Sequence, residues 1–196
     1  MTINGLILAA GNSSRLGLNK QTIQFNQWSL LQLIENNLQN CCDQVTVVLG
    51  HEHQKMTTQP LSQVVINTQW QSGIGSSLKT GIQSIKHQSD AVLIALCDQP
   101  LIPQSHYQQM VKLSTESPQY IITSMYQNIQ GVPAIFPSAY FNQLLTLDDH
   151  QGAQKIITTN AANTLSVACP SASHDIDTKE DLTKLLNLNT GSNNSC

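Results

Sequence analysis

The sequence predicts an α/β fold: one domain built on a doubly wound, mainly parallel sheet with helices on both faces. Three observations lead there. A chain of 196 residues, 40% of them apolar, suits one compact domain able to bury a core. Short apolar runs rich in β-branched residues recur along it, several continuous rather than alternating, as in strands covered on both faces. Segments with apolar residues near the helical period separate those runs, and strand–helix alternation favours a parallel sheet with right-handed crossovers.

In chain order, Ile3–Ala9 reads as the first strand and 30–38 as the first helix. Strands follow at Val45–Leu49 and 64–66, then a helix at 77–85, a strand at Ala91–Leu96 and a helix at 105–113. Further strands fall at 120–124, 134–136 and 165–167, with helices at 138–145 and 152–158 before the last of them. A final helix covers 178–188, where Thr178 offers a capping hydroxyl ahead of Glu180 and Asp181, acids suited to a first turn. The domain is therefore expected over 1–188. Residues 189–196 are polar and rich in Gly, Ser and Asn, and read as a flexible tail.

Composition narrows the partners. Charged residues make up 11%, less than half the usual fraction of about 25%, and the net charge is −3. Without a block of Lys or Arg, neither nucleic acid nor an anionic membrane is an expected partner. No apolar run approaches the ~20 residues of a membrane span, and no basic region precedes a cleavage site at the start, so a cytoplasmic protein is expected. Five cysteines, with Cys41 and Cys42 adjacent, match neither a disulfide framework nor a zinc spacing and read as small buried hydrophobes. Cys97 neighbours the candidate chemistry, but the sequence assigns it no His partner.

The first strand runs into Leu8-Ala9-Ala10-Gly11-Asn12-Ser13-Ser14-Arg15-Leu16-Gly17-Leu18-Asn19-Lys20. Small residues let backbone N–H groups approach an anion, and Arg15 and Lys20 can offset a polyphosphate's charge, so the segment reads as a phosphate loop. It lacks the Gly-x4-Gly-Lys-Ser/Thr and Gly-x-Gly-x2-Gly patterns, and an ordinary strand–helix turn with two surface cations remains the alternative. Asp98 follows the apolar run Ala91–Leu96 and is expected at a strand's C-terminal end, where open α/β sheets bind ligands. A carboxylate there suits Mg²⁺, which prefers hard oxygen ligands; a loop acid closing an Asx turn is the alternative. Asp175 and Asp177 are two residues apart and would face one way on an extended segment, or Asp177 could simply serve a helix start.

Other segments carry weaker signals. Gly73-Ile74-Gly75-Ser76-Ser77-Leu78 fails as a dinucleotide loop because Leu78 holds the third glycine position, and Ser76 or Ser77 can cap the following helix. Trp70 stacks on a ligand or packs. His51 and His53 read as solvated, for want of a third ligand nearby, and His174 beside Asp175 has no Gly-x-Ser-x-Gly elbow to serve.

Taken together, Leu-Ala-Ala-Gly-x-Ser-x-Arg-x-Gly-x2-Lys resembles the signature of Rossmann-like nucleotidyltransferases. Asn67-x2-Trp70-x2-Gly73-Ile-Gly-Ser76-Ser77-Leu78-x2-Gly81, Leu96-Cys97-Asp98-Gln99-Pro100, Gly131-Val132-Pro133-Ala134, Gly152-Ala153 and Asp175-Ile-Asp177-Thr178-x-Glu180-Asp181-Leu182 narrow the resemblance. In that order they resemble the molybdenum cofactor cytidylyltransferase branch. The resemblance implies Mg²⁺-dependent transfer of CMP from CTP to molybdopterin with release of pyrophosphate. It implies nucleotide contacts at Leu8, Ala9, Ala10, Gly11, Ser13, Arg15, Lys20, Ser76, Ser77 and Asp98, with Arg15, Lys20 and Asp98 catalytic. Asp98 and Asp177 become metal ligands with Asp175 close by, and Gln99, Pro100, Gly131 and Pro133 border the acceptor pocket. A molybdoenzyme or its chaperone becomes a candidate partner. Two departures stand out: Lys179 replaces a proline that the first helical turn does not require, and His150 and Gln154 replace an acid and a cation. The second departure bears on the acceptor pocket rather than the nucleotide site; guanylyl transfer to the same cofactor, transfer to another small phosphate acceptor, and a nucleotide-binding accessory protein without catalysis are the alternatives.

Overall fold

The computed structural model describes residues 1–13, 15–25, 27–51, 53–55 and 60–191. Its central strand is β1 (Ile3–Ala9). A short ribbon of β2 (Gln24–Phe25) and β3 (Trp28–Ser29), unforeseen in the sequence, leads into α1 (Leu30–Gln39), which starts on a reciprocal capping box between Ser29 and Gln32. Then come β4 (Val45–Leu49), β5 (Gln63–Ile66), α2 (Ile74–Ile85), β6 (Ala91–Leu96) and α3 (Gln104–Glu116). The second half holds β7 (Ile121–Tyr126), β8 (Ile129–Pro137), α4 (Phe141–Leu145), α5 (Gln154–Thr159), β9 (Thr164–Ala168) and α6 (Lys179–Gly191). Residues 192–196 of the expected tail lie outside the described residues.

Seven strands form one sheet in the order β5-β4-β1-β6-β8-β7-β9. β1 pairs in parallel with β4 and β6, whereas β8 runs antiparallel to both β6 and β7. The reversal comes from a two-residue hairpin: Gln127 and Asn128 both take positive φ, +48° and +62°, whose twist matches that of the flanking strands. The strand expected at 134–136 is therefore the end of one longer strand that starts at Ile129. Gly131 lies inside β8 under the Tyr126 ring, at a register shift where Val132 and Pro133 are extra between the partners of Thr123 and Ser124.

Successive residues of β1 feed two cores. Ile3, Ile7 and Ala9 pack with Leu31, Ile34 and Leu38 of α1 and Tyr107 and Met110 of α3. Leu6 and Leu8 pack with Leu78, Ile82 and Ile85 of α2, and with residues of α4 and α5. This two-sided burial is why the strands read as continuous apolar runs; each fully buried Leu or Ile contributes about 1.5–3 kcal/mol. A smaller cluster of Leu30, Ile176 and Leu185 seats α6 against the ribbon and α1. Thr178 caps α6 as expected: Asp181 N–H donates to its hydroxyl at 3.2 Å, and Thr178 N–H donates back to the Asp181 carboxylate at 2.9 Å. Among the described residues no helix is long and apolar enough to cross a membrane.

α2 starts three residues earlier than its apolar pattern suggests, with Gly73 at φ +126° ahead of it. Ser76 and Ser77 thus lie within the first turns and cap nothing. The reason is close backbone approach. Gly75 N–H donates to Asp149 O at 2.7 Å, and a Cβ on Gly75 would lie 2.6 Å from Gln151 O, a carbonyl the loop cannot easily withdraw. Gly75→Ala is expected to cost about 1–3 kcal/mol through this overpacking, read as a lower urea midpoint with unchanged secondary structure; an unmoved midpoint contradicts the close approach.

Candidate active site

Because β1 and β6 are neighbouring parallel strands, their C-terminal ends open onto one crevice. A cavity of about 430 Å³ occupies it. One wall is the end of β1 and the loop after it, with Leu8, Ala9, Ala10, Gly11, Asn12 and Ser13; a second is Trp70, Gln71, Gly73, Ile74 and Ser77 around the start of α2; Leu96, Cys97 and Asp98 line it at the end of β6. Arg15, Lys20, Gln21 and Asp177 complete it.

Local geometry aims the loop. Ser13 takes φ +48°, and its carbonyl accepts from the N–H groups of Leu16 and Gly17, each at 3.0 Å. Asn19 caps the short helical turn over Lys20–Thr22, and the Gln21 side-chain amide donates to Ala9 O, tying that turn back under the loop. A Cβ placed on Gly11 would meet nothing within 4 Å, so its bareness serves no packing contact and leaves the loop surface open.

Four charged side chains converge at one end. Lys20, 8% exposed, reaches in with its Nζ 3.2 Å from Asp98 Oδ2 and 2.5 Å from Asp177 Oδ1. Arg15 Nη2 lies 2.7 Å from the other Asp177 oxygen. Asp98 Oδ1 is buried and has no hydrogen-bond partner among the described residues. Asp177 arrives because Ile176 N–H donates to Asp98 O at 2.9 Å while the Ile176 side chain enters the cluster under α6. Burial pulls the Lys20 ammonium down, but Asp98 and Asp177 outweigh it and hold it above its ordinary value. The hydrogen bond from Lys20, aided by the Arg15 charge, holds Asp177 below the usual carboxylate range.

Of the residues singled out in the sequence, Leu8, Ala9, Ala10, Gly11, Ser13, Arg15, Lys20, Ser77, Asp98 and Asp177 all line this cavity. Ser76 does not: its hydroxyl bonds to Gln69 O at 3.1 Å, and both Ser76 and Ser77 accept from the Asn67 amide, at 3.1 and 3.0 Å. Asp175 flanks Ile176 opposite Asp177 in sequence but also stays out of the cavity. It accepts from Gln99 Nε2 at 3.0 Å, and lost hydration and the Asp98 charge push its carboxyl up. Gln99, Pro100, Gly131 and Pro133 are buried, and none reaches the cavity; Gln99 Nε2 donates to Ala172 O and Asp175, while its Oε1 is buried without a partner among the described residues. Gln21, Gln71, Ile74 and Leu96 went unforeseen. Only the position of Gln21, directly after Lys20, could have flagged it.

The histidines and Cys97 supply no further chemistry to the cavity. His51 lies against Trp70 with ring centroids 4.7 Å apart, and His53 Nδ1 sits 3.0 Å from Gly50 O. Among the described residues no group of three His, Cys, Asp or Glu side chains is placed to hold a metal. Burial pushes the Cys97 thiol up to about 12, which leaves it protonated and inert near neutrality.

The MobA-like NTP transferase domain matches residues 5–165. The chain belongs to this family. Among its relatives, the purine catabolism protein PucB of Bacillus subtilis (strain 168) is 26% identical over 90% of this chain and 92% of its own. Nicotine blue oxidoreductase of Paenarthrobacter nicotinovorans is 33% identical, over half of each chain. In three dimensions the chain is similar to Rv0371c of Mycobacterium tuberculosis H37Rv, with a TM-score of 0.81 and 22% identity, covering 95% of this chain and 98% of that one. A structure of Rv0371c in complex with manganese matches with a TM-score of 0.78 and 20% identity, over 95% of this chain and 99% of that one. As a MobA-like NTP transferase the chain is a nucleotidyltransferase, on a fold shared with Rv0371c.

Asp177 carries the pH dependence. A carboxyl held below 3.8 contributes stability that is present above that value and lost as pH falls through its folded value. Without added divalent metal, the unfolding midpoint is expected to drop on acidification below about pH 3.8, and Asp177→Asn should flatten that part of the profile. A variant profile parallel to the parent's would contradict the ion pairing.

Proposed function

We propose that this nucleotidyltransferase transfers CMP from CTP to the terminal phosphate of a molybdopterin-type acceptor, with a divalent metal, Mg²⁺ by the chemistry of its ligands. The observation that carries the reading is the meeting of Arg15, Lys20, Asp98 and Asp177 in one cavity that is also lined by a small-residue loop. The residues fit such a metal. Two carboxylates with one orphaned buried oxygen suit a hard cation that takes one or two protein ligands and fills its shell from phosphates and water. Asp98 and Asp177 would hold it, and when bound it would supply positive charge to the phosphate oxygens.

The chain's own residues do the rest. The small-residue loop over 10–13 lines the cavity and can offer backbone N–H groups to the triphosphate, and Arg15 and Lys20 offset its charge. Ser77 and the neighbouring backbone sit where a base edge can be read. An acceptor phosphate oxygen attacks the α-phosphorus in line, forming a new P–O bond as the bond to the β-phosphate breaks and pyrophosphate leaves with the electron pair. Such transfer asks for alignment and charge neutralisation rather than a protein nucleophile, in keeping with the inert Cys97.

A different phosphate-bearing acceptor is a second reading, favoured at the position of the missing cation. Gln154 donates to Gln130 O at 2.7 Å and His150 is exposed, so neither supplies the acid and cation that the resembled branch places there.

Two measurements test the reading. CTP with Mg²⁺ is expected to raise the melting temperature more than GTP, ATP or UTP, and to release pyrophosphate only with molybdopterin present. Selective stabilisation by GTP would replace cytidylyl with guanylyl transfer, and binding without pyrophosphate release would favour an accessory protein. Asp98→Ala is expected to lower kcat by about 10²–10³-fold or more while the protein still melts cooperatively; near-normal turnover would remove Asp98 from the metal site.

A further inference from the structure

Three of the four carboxylate oxygens that would meet a cation already meet one. Lys20 Nζ bridges Asp98 Oδ2 and Asp177 Oδ1, and Arg15 takes Asp177 Oδ2, leaving only the buried Asp98 Oδ1 without a partner. Lys20 is not a surface lysine that happens to swing by. It is 8% exposed, on a helical turn capped by Asn19 and tied to Ala9 O through the adjacent Gln21. Arg15 differs, with 73% of its side chain exposed and free to leave.

We infer that Lys20 is the resident counter-ion of Asp98 and Asp177, and that a divalent metal gains those carboxylates only when a polyphosphate draws Lys20 and Arg15 away. The inference rests on the proposed metal site and extends it to how the site fills. A metal entering alone would have to share two carboxylates with an ammonium at hydrogen-bond distance, a like-charge clash at close range. Phosphate oxygens from the open loop surface give Lys20 and Arg15 new acceptors, which releases the carboxylates. Metal and nucleotide therefore bind with positive coupling, and by linkage each strengthens the other by the same factor, typically 5–150-fold. The device keeps the carboxylates paired while the pocket lacks nucleotide, and it disfavours a metal held without substrate.

The test is Mn²⁺ binding followed by the loss of its free-ion electron paramagnetic resonance signal, on the intact chain, with and without CTP and against a CTP-only blank. The parent protein is expected to bind Mn²⁺ weakly alone and at least ten-fold more tightly with CTP. Lys20→Met should raise the affinity for Mn²⁺ alone by ten-fold or more, and adding Asp98→Asn should abolish that gain. Arg15→Gln, at an exposed side chain that folding does not depend on, should give a smaller gain in the same direction. Equal Mn²⁺ affinity of the parent and both single variants, with metal bound in each, would overturn the counter-ion inference while leaving the metal site standing. Absence of Mn²⁺ binding in every protein, even with CTP, would overturn the metal site and the inference together.

Discussion

The ion cluster of Lys20 with Asp98 and Asp177 is the constraint on which the rest of the molecule turns. Its members come from the loop after the first strand, the end of the neighbouring strand, and a segment near the far end of the chain. They meet because β1 and β6 are adjacent and parallel, and because one backbone hydrogen bond, from Ile176 N–H to Asp98 O, fastens the late segment across the strand end. Ile176 turns inward to Leu30 and Leu185, so the same short stretch that serves the core presents Asp177 to the crevice.

Such a cluster is poor value as a stabilising device. Part-buried ion pairs recover little beyond the hydration they forfeit, and an orphaned buried oxygen such as Asp98 Oδ1 costs about 1–3 kcal/mol. The surrounding structure tolerates that cost because its two cores are closely filled on either side of the sheet. Local rules broken where the fold is otherwise consistent mark functional ground. The contrast with Glu35 is instructive: it too is buried with one oxygen unpartnered among the described residues, but its other oxygen takes two backbone N–H groups, from Leu61 and Ser62. That arrangement staples a loop and invites no ligand chemistry.

Much of the fold was legible. The seven main strands were visible because burial on both faces writes continuous apolar runs, and α1, α3 and α6 because one apolar face repeats at the helical period. The β7–β8 hairpin was not, since Gln127-Asn128 is a faint turn signal beside Asn-Gly and the positive φ values emerge only from strand pairing. The early start of α2 escaped too: Gly73 and Gly75 are there for a loop around Asp149 more than 70 residues away, and no local pattern records that approach.

By itself the sequence determined the α/β alternation and the small-residue loop after the first strand, and it offered Arg15, Lys20 and Asp98 as candidates from residue type and strand-end position, which are local properties, with Asp177 added by the family resemblance. Tertiary structure alone decided which of the candidates share a cavity. It brought Asp177 to Lys20 and turned Asp175 toward Gln99; it drew Ser76 into a bond with Asn67 and sealed Gln99, Pro100, Gly131 and Pro133 inside the protein. The physical reason is that convergence depends on long-range packing and on how each buried polar group is satisfied, and neither leaves a periodicity in the chain.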